Sequence, residues 1–317
     1  MEKKIAFLFP GQGSQYVGMG KDFFNTFAIA KQTFEEAEDI LSWRVSDLIF
    51  NGPLESLTQT KNSQLAIFIN SMAILRTIMQ QIPDLVPYVC AGLSLGEYSA
   101  LCASNVMDFE TALKLVRDRA YFMNDACERT SGTMAAVLGL SDLQVEEIVT
   151  PVSDEHKVWV ANYNCPNQTV ISGSFEGVKY AGELLKEKGA KRVLPLTVHG
   201  AFHSGFMKSA QDSLSPKIMN AKLNSSDTKI MMNVVGDFVE DFDQIRSNLI
   251  NQITKSVRWE QSINKLKEDS VDLYIEIGCG KTLSGMNKKM NLGDKTLSVD
   301  TVLDLDVLIS RLDCVLC

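Results

Sequence analysis

The chain has 317 residues and a formal net charge of −8 at neutral pH, with 31 Lys and Arg against 39 Asp and Glu. Because it has no dense basic run and no basic residues interleaved with aromatic ones, nucleic acid is a poor candidate for a partner. Hydrophobic residues make up 45% of the chain, which is typical of a globular protein with a sizeable core. The apolar stretch 64–79 is interrupted by Asn70, Ser71 and Arg76, so it predicts a buried helix and no membrane span.

Strands and helices alternate along the first 127 residues, which is typical of an α/β fold. Hydrophobic periodicity predicts two strands and four helices there: strands 5–9 and 86–92, and helices 27–42, 62–82, 97–104 and 108–128.

The segment 89–103 reads VCAGLSLGEYSALCA and places Ser94 in a Gly-x-Ser-x-Gly pattern, between a predicted strand and a predicted helix. A nucleophile at the tip of a strained strand-to-helix turn needs neighbours without side chains, and Gly92 and Gly96 meet that need. An oxyanion formed at Ser94 would face the backbone N–H of Leu95 at the start of the helix. The alternative is a structural serine on an ordinary tight turn.

From residue 133 the predicted order changes to β-α-β-β-α-β, which is the ferredoxin-like arrangement. Its strands are predicted at 133–140, 157–164, 168–174 and 191–198, and its helices at 141–149 and 176–189. We therefore predict a ferredoxin-like subdomain over 128–197, inserted into an α/β core domain made of 1–127 and 198–317. A cleft between the two is where we expect a site.

After residue 198 the α/β alternation resumes with three more strands, two helices through Lys267, a helix at 280–290 and a last helix. The segment IGCGKTLSG resembles a phosphate-binding loop, but the first glycine of that motif would fall on Ile275. Gly278 and Gly280 are therefore interpreted as the end of a strand that packs closely.

Serine is a weak nucleophile at neutral pH and needs a base within hydrogen-bonding reach. Of the three histidines, His156 lies in a polar turn, and His199 follows a predicted strand directly. His203 lies in a loop flanked by Gly and Ser, which makes it the better candidate. No motif marks an Asp or Glu as the acidic member of a Ser-His-acid triad. A Ser-His dyad is chemically adequate without one.

Two further features could serve such a serine. The loop FPGQGSQ, which contains Gln12, offers backbone N–H groups beside the strand of Ser94, and its glycine spacing does not fit a dinucleotide fingerprint. Arg119 and Met123 are four residues apart and share one face of a predicted helix. From composition alone, Arg119 would be interpreted as half of a surface ion pair.

Cysteine usage points to reduced thiols. The seven cysteines are an odd number and are scattered singly, apart from Cys314 and Cys317 at the end of the chain. One C-x-x-C pair without a second pair is a poor metal motif, so we expect no metal ion and a cytoplasmic protein.

Five segments occur together in this order: FPGQGSQ, GLSLGEYSAL, RDRAYFM, GAFHS and NQITKSVRW. In order and spacing the chain resembles the malonyl-CoA:acyl carrier protein transacylases over essentially its whole length. The resemblance implies an α/β-hydrolase-like core with a mainly parallel sheet, plus the inserted ferredoxin-like subdomain. It also implies malonyl transfer for fatty-acid biosynthesis, from malonyl-CoA to an acyl carrier protein.

The resemblance assigns roles to individual residues. Ser94 would be the acylated nucleophile and His203 its base, with the backbone N–H groups of Gln12 and Leu95 forming the oxyanion hole. Arg119 would bind the malonyl carboxylate, and Met123 would line the pocket. The remaining assignments are Gln252 fixing the imidazole through its backbone carbonyl, Asn162 nearby, and Phe202 disfavouring methylmalonyl. No cofactor is implied, since CoA and phosphopantetheine thioesters are substrates, and we expect a monomer.

The chain departs from the family pattern at three places. Leu93 stands where a histidine is usual, Cys165 and Asn167 replace the commoner serine and glycine, and Cys279 stands where proline is usual. The first departure changes the polarity beside Ser94, and the others affect loop rigidity more than mechanism.

Three alternative functions stay open at this point. A free-standing acyltransferase of a polyketide synthase would share these motifs, whereas a generic serine hydrolase would not need Arg119. A non-catalytic scaffold that binds a carrier protein would not need Ser94. Arg192, Lys288 and Lys289 are candidate contacts for an acidic carrier protein, although they could equally be ordinary solvated side chains.

Overall fold

The computed structural model describes residues 3–316 and contains two compact units. The first unit comprises the residues up to Arg117, Lys222–Met231 and the residues from Glu268 onward; the second comprises Asp118–Ala221 and Met232–Lys267. The strands are β1 Ile5–Phe9, β2 Val89–Gly92, β3 Thr133–Leu138, β4 Val158–Cys165, β5 Gln168–Gly173, β6 Arg192–Pro195, β7 Lys229–Met232, β8 Asp237–Phe238, β9 Val257–Arg258, β10 Leu273–Ile277 and β11 Thr296–Val299.

The α-helices are α1 Lys21–Thr26, α2 Ala28–Leu41, α3 Val45–Asn51, α4 Leu54–Thr58, α5 Thr60–Gln81, α6 Gly96–Ala103, α7 Phe109–Arg129, α8 Asp142–Val149, α9 Ser153–His156, α10 Phe175–Glu187, α11 Lys208–Met219, α12 Phe242–Gln252, α13 Trp259–Glu268, α14 Thr282–Lys289 and α15 Val302–Leu316. Among the described helices, none combines the length and the apolar character needed to cross a membrane.

The first unit contains a parallel sheet in the strand order β11-β10-β1-β2-β7. Strands β1, β2 and β10 are buried along their whole length, as expected for parallel strands covered on both faces. In the register of β1 with β2, Phe9 pairs with Gly92, so both strands end at the same edge of the sheet. This edge carries the loop of Gln12 and the turn of Ser94.

The second unit contains a five-stranded sheet in the order β6-β3-β5-β4-β9. Its first four strands pair antiparallel, and their order is that of a ferredoxin-like fold, as predicted. Helices α8 and α10 bury Val145, Val149 and Leu185 in one cluster with Val137 and Ile171 of the sheet. A capping box opens α8, with Gln144 bonded to the Ser141 backbone and side chain.

Seven elements were not predicted, namely α1, α3, α4, α9, α11, β8 and β9. Most are too short to show a hydrophobic period, and α11 contains Pro216, which reads as a helix breaker in sequence. Strand β9 has two residues and pairs parallel to β4, where Asn162 lies opposite Val257. The predicted domain boundaries at 127/128 and 197/198 stay a prediction.

Candidate active site

Ser94 occupies a strained turn between β2 and α6. Its backbone has a φ of 53°, in the left-handed region that residues other than glycine rarely adopt. The turn is closed by hydrogen bonds from the Gly96 N–H to the Leu93 carbonyl at 3.0 Å and from the Glu97 N–H to the Ser94 carbonyl at 3.1 Å. Strain held by surrounding bonds at a serine between a strand and a helix is typical of a nucleophile elbow.

The two glycines of the motif are required by close packing. A Cβ atom on Gly92 would lie 1.9 Å from the carbonyl carbon and oxygen of Gly96, and one on Gly96 would lie 2.1 Å from the Phe9 carbonyl oxygen. No side chain fits at either position, because real Cβ contacts are never that short. This accounts for the spacing of Gly-x-Ser-x-Gly around Ser94.

The loop of Gln12 packs directly against the serine turn. A Cβ atom on Gly11 would lie 2.4 Å from the Leu93 carbonyl oxygen, and the Leu93 N–H donates to the Phe9 carbonyl at 3.0 Å. The Gln12 side chain donates to the Thr60 hydroxyl at 3.3 Å. The first unit thus brings Gln12, Ser94 and Leu95 to one edge of the parallel sheet, with Leu95 directly preceding α6.

His203 lies in the second unit, in the loop between β6 and α11, and also has a left-handed backbone, with a φ of 56°. Its Nδ1 is 2.7 Å from the backbone carbonyl oxygen of Gln252. Because a carbonyl only accepts hydrogen bonds, a neutral His203 carries its proton on Nδ1. The Nε2 atom then has the lone pair that a base needs.

The surroundings of His203 keep it neutral. The side chain is only 4% exposed. Burial, and next the positive charge of Arg119, lower its pKa to about 4, against the opposing effect of the hydrogen bonds that the ring makes to the backbone of Gln252 and Lys255. At neutral pH the imidazole is therefore able to accept a proton.

Arg119 lies on α7 and is 1% exposed, so it is not a surface ion-pair residue of the kind that composition alone would suggest. Its Nη2 donates to the Gln252 side-chain oxygen at 3.0 Å. Gln252 thus bonds His203 with its backbone carbonyl and Arg119 with its side chain. A planar guanidinium can bind a carboxylate through two parallel hydrogen bonds.

Sequence reasoning missed Asn233, which completes this cluster. The Gln252 side-chain nitrogen donates to the Asn233 side-chain oxygen at 3.4 Å, which directs the Gln252 oxygen toward Arg119. Asn233 is buried, and its backbone carbonyl accepts from the Arg258 N–H at 2.8 Å. A single Asn after a strand belongs to no motif, so nothing in the local pattern indicated a role for it.

The structure also buries three other residues of the second unit to which the resemblance gave roles: Met123, Phe202 and Asn162. Met123 lies one helical turn after Arg119 on α7, and Phe202 directly precedes His203. Asn162 lies in β4 next to a register shift and pairs with Val257 of β9. Strand β9 begins five residues after Gln252 in the sequence. The roles of all three stay predictions.

The remaining histidines differ from His203. His199 is exposed. His156, for which the sequence predicts a polar turn, is half-buried and stacks on Tyr180 with ring centroids 3.8 Å apart. Among the side chains that the structure describes, no group of three or more His, Cys, Asp or Glu could hold a metal ion. Of the terminal cysteine pair, Cys317 lies outside the described residues, and the Cys314 side chain is likewise not described.

Comparisons with known proteins identify the family of the chain. The chain matches the acyl transferase domain family over residues 6–289. It is 43% identical over 310 residues to a malonyl CoA-acyl carrier protein transacylase of Bacillus subtilis, which covers 98% of this chain and 97% of that protein.

Two solved structures share the fold along the whole chain. A malonyl CoA-acyl carrier protein transacylase of Clostridium perfringens superposes with a TM-score of 0.92 at 38% identity, covering 98% of this chain and 97% of the other. A malonyl-transacylase solved in complex with its holo type II PKS acyl-carrier protein has a TM-score of 0.92 at 33% identity, covering 98% and 100%. The α/β fold predicted from sequence is thereby confirmed, and the chain belongs to the acyl transferase domain family, among the malonyl CoA-acyl carrier protein transacylases.

Proposed function

We propose that this protein transfers a malonyl group from CoA to the phosphopantetheine thiol of an acyl carrier protein, through an ester on Ser94. The observation that carries the proposal is the bonding of Gln252 to both His203 and Arg119. One residue fixes a neutral base and a buried guanidinium, which is an arrangement suited to an acyl group that ends in a carboxylate. A generic ester hydrolase would need the base but not the cation.

In the first half-reaction the Ser94 hydroxyl oxygen attacks the thioester carbonyl of malonyl-CoA while His203 Nε2 takes the hydroxyl proton. The negative charge on the carbonyl oxygen is stabilised by the backbone N–H groups of Leu95 and Gln12. When the carbon–sulfur bond breaks, the imidazolium gives its proton to the leaving CoA thiolate. The products are malonyl-Ser94 and free CoA.

The second half-reaction reverses these steps with a different thiol. His203 takes the proton of the phosphopantetheine thiol, the sulfur attacks the malonyl ester, and the Ser94 oxygen leaves with that proton. Arg119 holds the malonyl carboxylate through both steps, which offsets the cost of burying that anion.

The proposed chemistry requires no redox cofactor and no metal ion, because the thioester supplies the activated acyl group. CoA and the carrier protein are substrates, and we expect the reaction to take place in the cytoplasm.

Phe202 directly precedes the base His203, and its ring would crowd an α-methyl branch on the acyl group. We therefore expect malonyl to be preferred over methylmalonyl, by a margin of about 1–3 kcal/mol for one methyl group.

The deciding experiment incubates the protein with malonyl-CoA and a holo carrier protein and follows the intact mass of both proteins. We expect a malonyl adduct on Ser94 and then on the carrier, and neither with Ser94→Ala. Parallel reactions with carriers of fatty-acid and polyketide type assign the pathway. Release of free malonate without an adduct on either carrier would establish a hydrolase instead.

Replacing Arg119 by alanine tests the carboxylate assignment. We expect malonyl transfer to fall by roughly 100-fold or more, as for loss of a charged hydrogen-bonding partner worth about 3 kcal/mol. Transfer from acetyl-CoA, which has no carboxylate, should not fall in parallel. The matched control is Arg117→Ala, because Arg117 is an exposed arginine two residues earlier on the same helix. Equal losses with both acyl groups would rule out the carboxylate contact.

A further inference from the structure

The loop that follows β1 is also bonded to the loop that follows β10. The Ser14 hydroxyl donates to the Gly11 carbonyl at 2.8 Å and lies 3.2 Å from the Cys279 sulfur. Cys279 belongs to the loop between β10 and α14 and is fully buried. These contacts connect the loop of Gln12 to a segment 265 residues later in the sequence.

The direction of these bonds follows from the atoms involved. The Gly11 carbonyl can only accept, so the single hydroxyl proton of Ser14 is directed to Gly11. The Cys279 thiol must then be the donor to the Ser14 oxygen. Burial raises the pKa of Cys279 to about 12, so the proton that this bond needs is present at neutral pH. A hydroxyl that accepts a hydrogen bond becomes a stronger donor, so the thiol strengthens the bond to Gly11.

A second connection joins the same two loops through Asp300, which bonds Tyr16 of the first loop and Gly280 of the second. The Asp300 carboxylate accepts from the Gly280 N–H at 3.0 Å with one oxygen and from the Tyr16 hydroxyl at 3.0 Å with the other. The loop of Gln12 is thus fixed at Ser14 and at Tyr16. Because Gly11 packs on the Leu93 carbonyl with no room for a Cβ atom, a shift of this loop would displace the Gln12 backbone relative to Ser94.

We propose that Cys279 and Ser14 are positioning residues that set the place of the Gln12 N–H in the oxyanion hole, with Cys279 acting through Ser14. This inference rests on the proposed function, in which that N–H stabilises the transition state. The proline that the family resemblance leads us to expect at position 279 has no thiol and could not make this bond. The connection through sulfur is therefore a feature of this chain.

The test measures the single-turnover rate of Ser94 malonylation, by quenching and intact mass, together with the substrate concentration dependence. Cys279→Ala and Ser14→Ala should each lower the maximal rate by roughly tenfold, as expected when a donor is displaced by a fraction of an ångström. The half-saturating malonyl-CoA concentration should stay unchanged, because the carboxylate contact is untouched. Cys279→Ser, which keeps a donor, should restore a rate close to that of the wild type.

The double variant Ser14→Ala/Cys279→Ala gives the sharpest result. If the thiol acts through the hydroxyl, the double variant is no slower than Ser14→Ala alone, because the second change removes nothing further. Losses that multiply in the double variant would overturn the proposal. Cys165→Ala serves as the matched control. It removes a buried thiol that, unlike Cys279, belongs to the second unit, so it should leave the rate unchanged.

The outcomes separate this inference from the proposed function. If the wild-type protein forms no malonyl-Ser94, the proposed function fails before any variant is compared. If the wild type is malonylated and both Cys279→Ala and Ser14→Ala react at its rate, the positioning role fails while the function stands. Thermal unfolding of each variant checks folding, and a folded Cys279→Ser with the low rate of Cys279→Ala would also overturn the proposal.

Discussion

At the scale of single residues, Gln252 bonds two residues of the candidate site, where its motif suggested one. The resemblance assigned Gln252 only a backbone contact to His203, and the structure adds the bond from Arg119 to its side-chain oxygen. The same residue therefore orients the candidate base and the candidate carboxylate clamp. Asn233, which orients Gln252 in turn, is the residue of this cluster that sequence reasoning did not reach.

The lowered pKa of His203 makes a prediction about the pH dependence of catalysis. With a pKa of about 4, the imidazole is neutral throughout the physiological range. We expect the malonylation rate to be independent of pH between about 6 and 8 and to fall only as the pH approaches the pKa of the base. Arg119→Ala should move this acid limb to higher pH, because Arg119 lowers the pKa. Rapid-quench rates across pH check both, and an acid limb centred near 6.5 would contradict the assignment.

The same shift has a consequence for stability. In the unfolded chain His203 titrates near its ordinary value of 6.5, so between that value and about 4 the unfolded state binds a proton that the folded state does not. The His203 contribution to the free energy of unfolding is therefore intact above 6.5 and decreases as the pH falls toward 4. Chemical denaturation of wild type and His203→Gln across this range should show a smaller pH dependence for the variant.

At the scale of secondary structure elements, the serine turn depends on backbone packing that no side chain can replace. Gly96→Ala places a Cβ atom 2.1 Å from the Phe9 carbonyl, so β1 and α6 would have to move apart. We expect a marked loss of stability and of malonylation. The matched control is Gly285→Ala in α14, where a Cβ atom would meet nothing within 4 Å.

That control should instead stabilise the protein by roughly 0.5–1 kcal/mol, since alanine is the better residue in a helix interior. Thermal and urea unfolding of both variants provide the comparison. A Gly96→Ala variant as stable and as reactive as the wild type would show that the turn tolerates a side chain.

The long elements of both units could be predicted from the sequence, because their hydrophobic period extends over enough residues to be read. Helices α5 and α10 and strand β1 lie within a few residues of their predicted bounds. The two-residue strand β9 could not be predicted, because its pairing to β4 comes from chain segments far apart in sequence. Helix α11 was missed because Pro216 interrupts the local pattern.

At the scale of the whole molecule, the proposed chemistry draws on both compact units. Ser94, Leu95 and Gln12 belong to the first unit, whereas His203, Arg119 and Gln252 belong to the second. If one acyl group engages both sets, malonylation should slow hydrogen exchange in residues 92–98 and also in residues 199–205. Exchange with mass detection, with and without malonyl-CoA, measures this, and Ser94→Ala is the control. Protection confined to the first unit would contradict the proposed roles of His203 and Arg119.

We also expect the protein to be a monomer. Light scattering of the same samples measures its molar mass in solution.

The α/β order, the ferredoxin-like βαββαβ segment and the need for glycines around Ser94 could be predicted from the amino-acid sequence, because they follow from local periodicity and backbone sterics. The burial of Arg119, the neutral state of His203 and the contact of Cys279 with Ser14 became evident only in the folded protein. Burial lowers the pKa of the His203 imidazole, and segments far from His203 in the chain supply that burial. The contact of Cys279 with Ser14 joins residues that are 265 positions apart. Local periodicity can predict that a helix or strand is buried, but it does not show which side chains meet there.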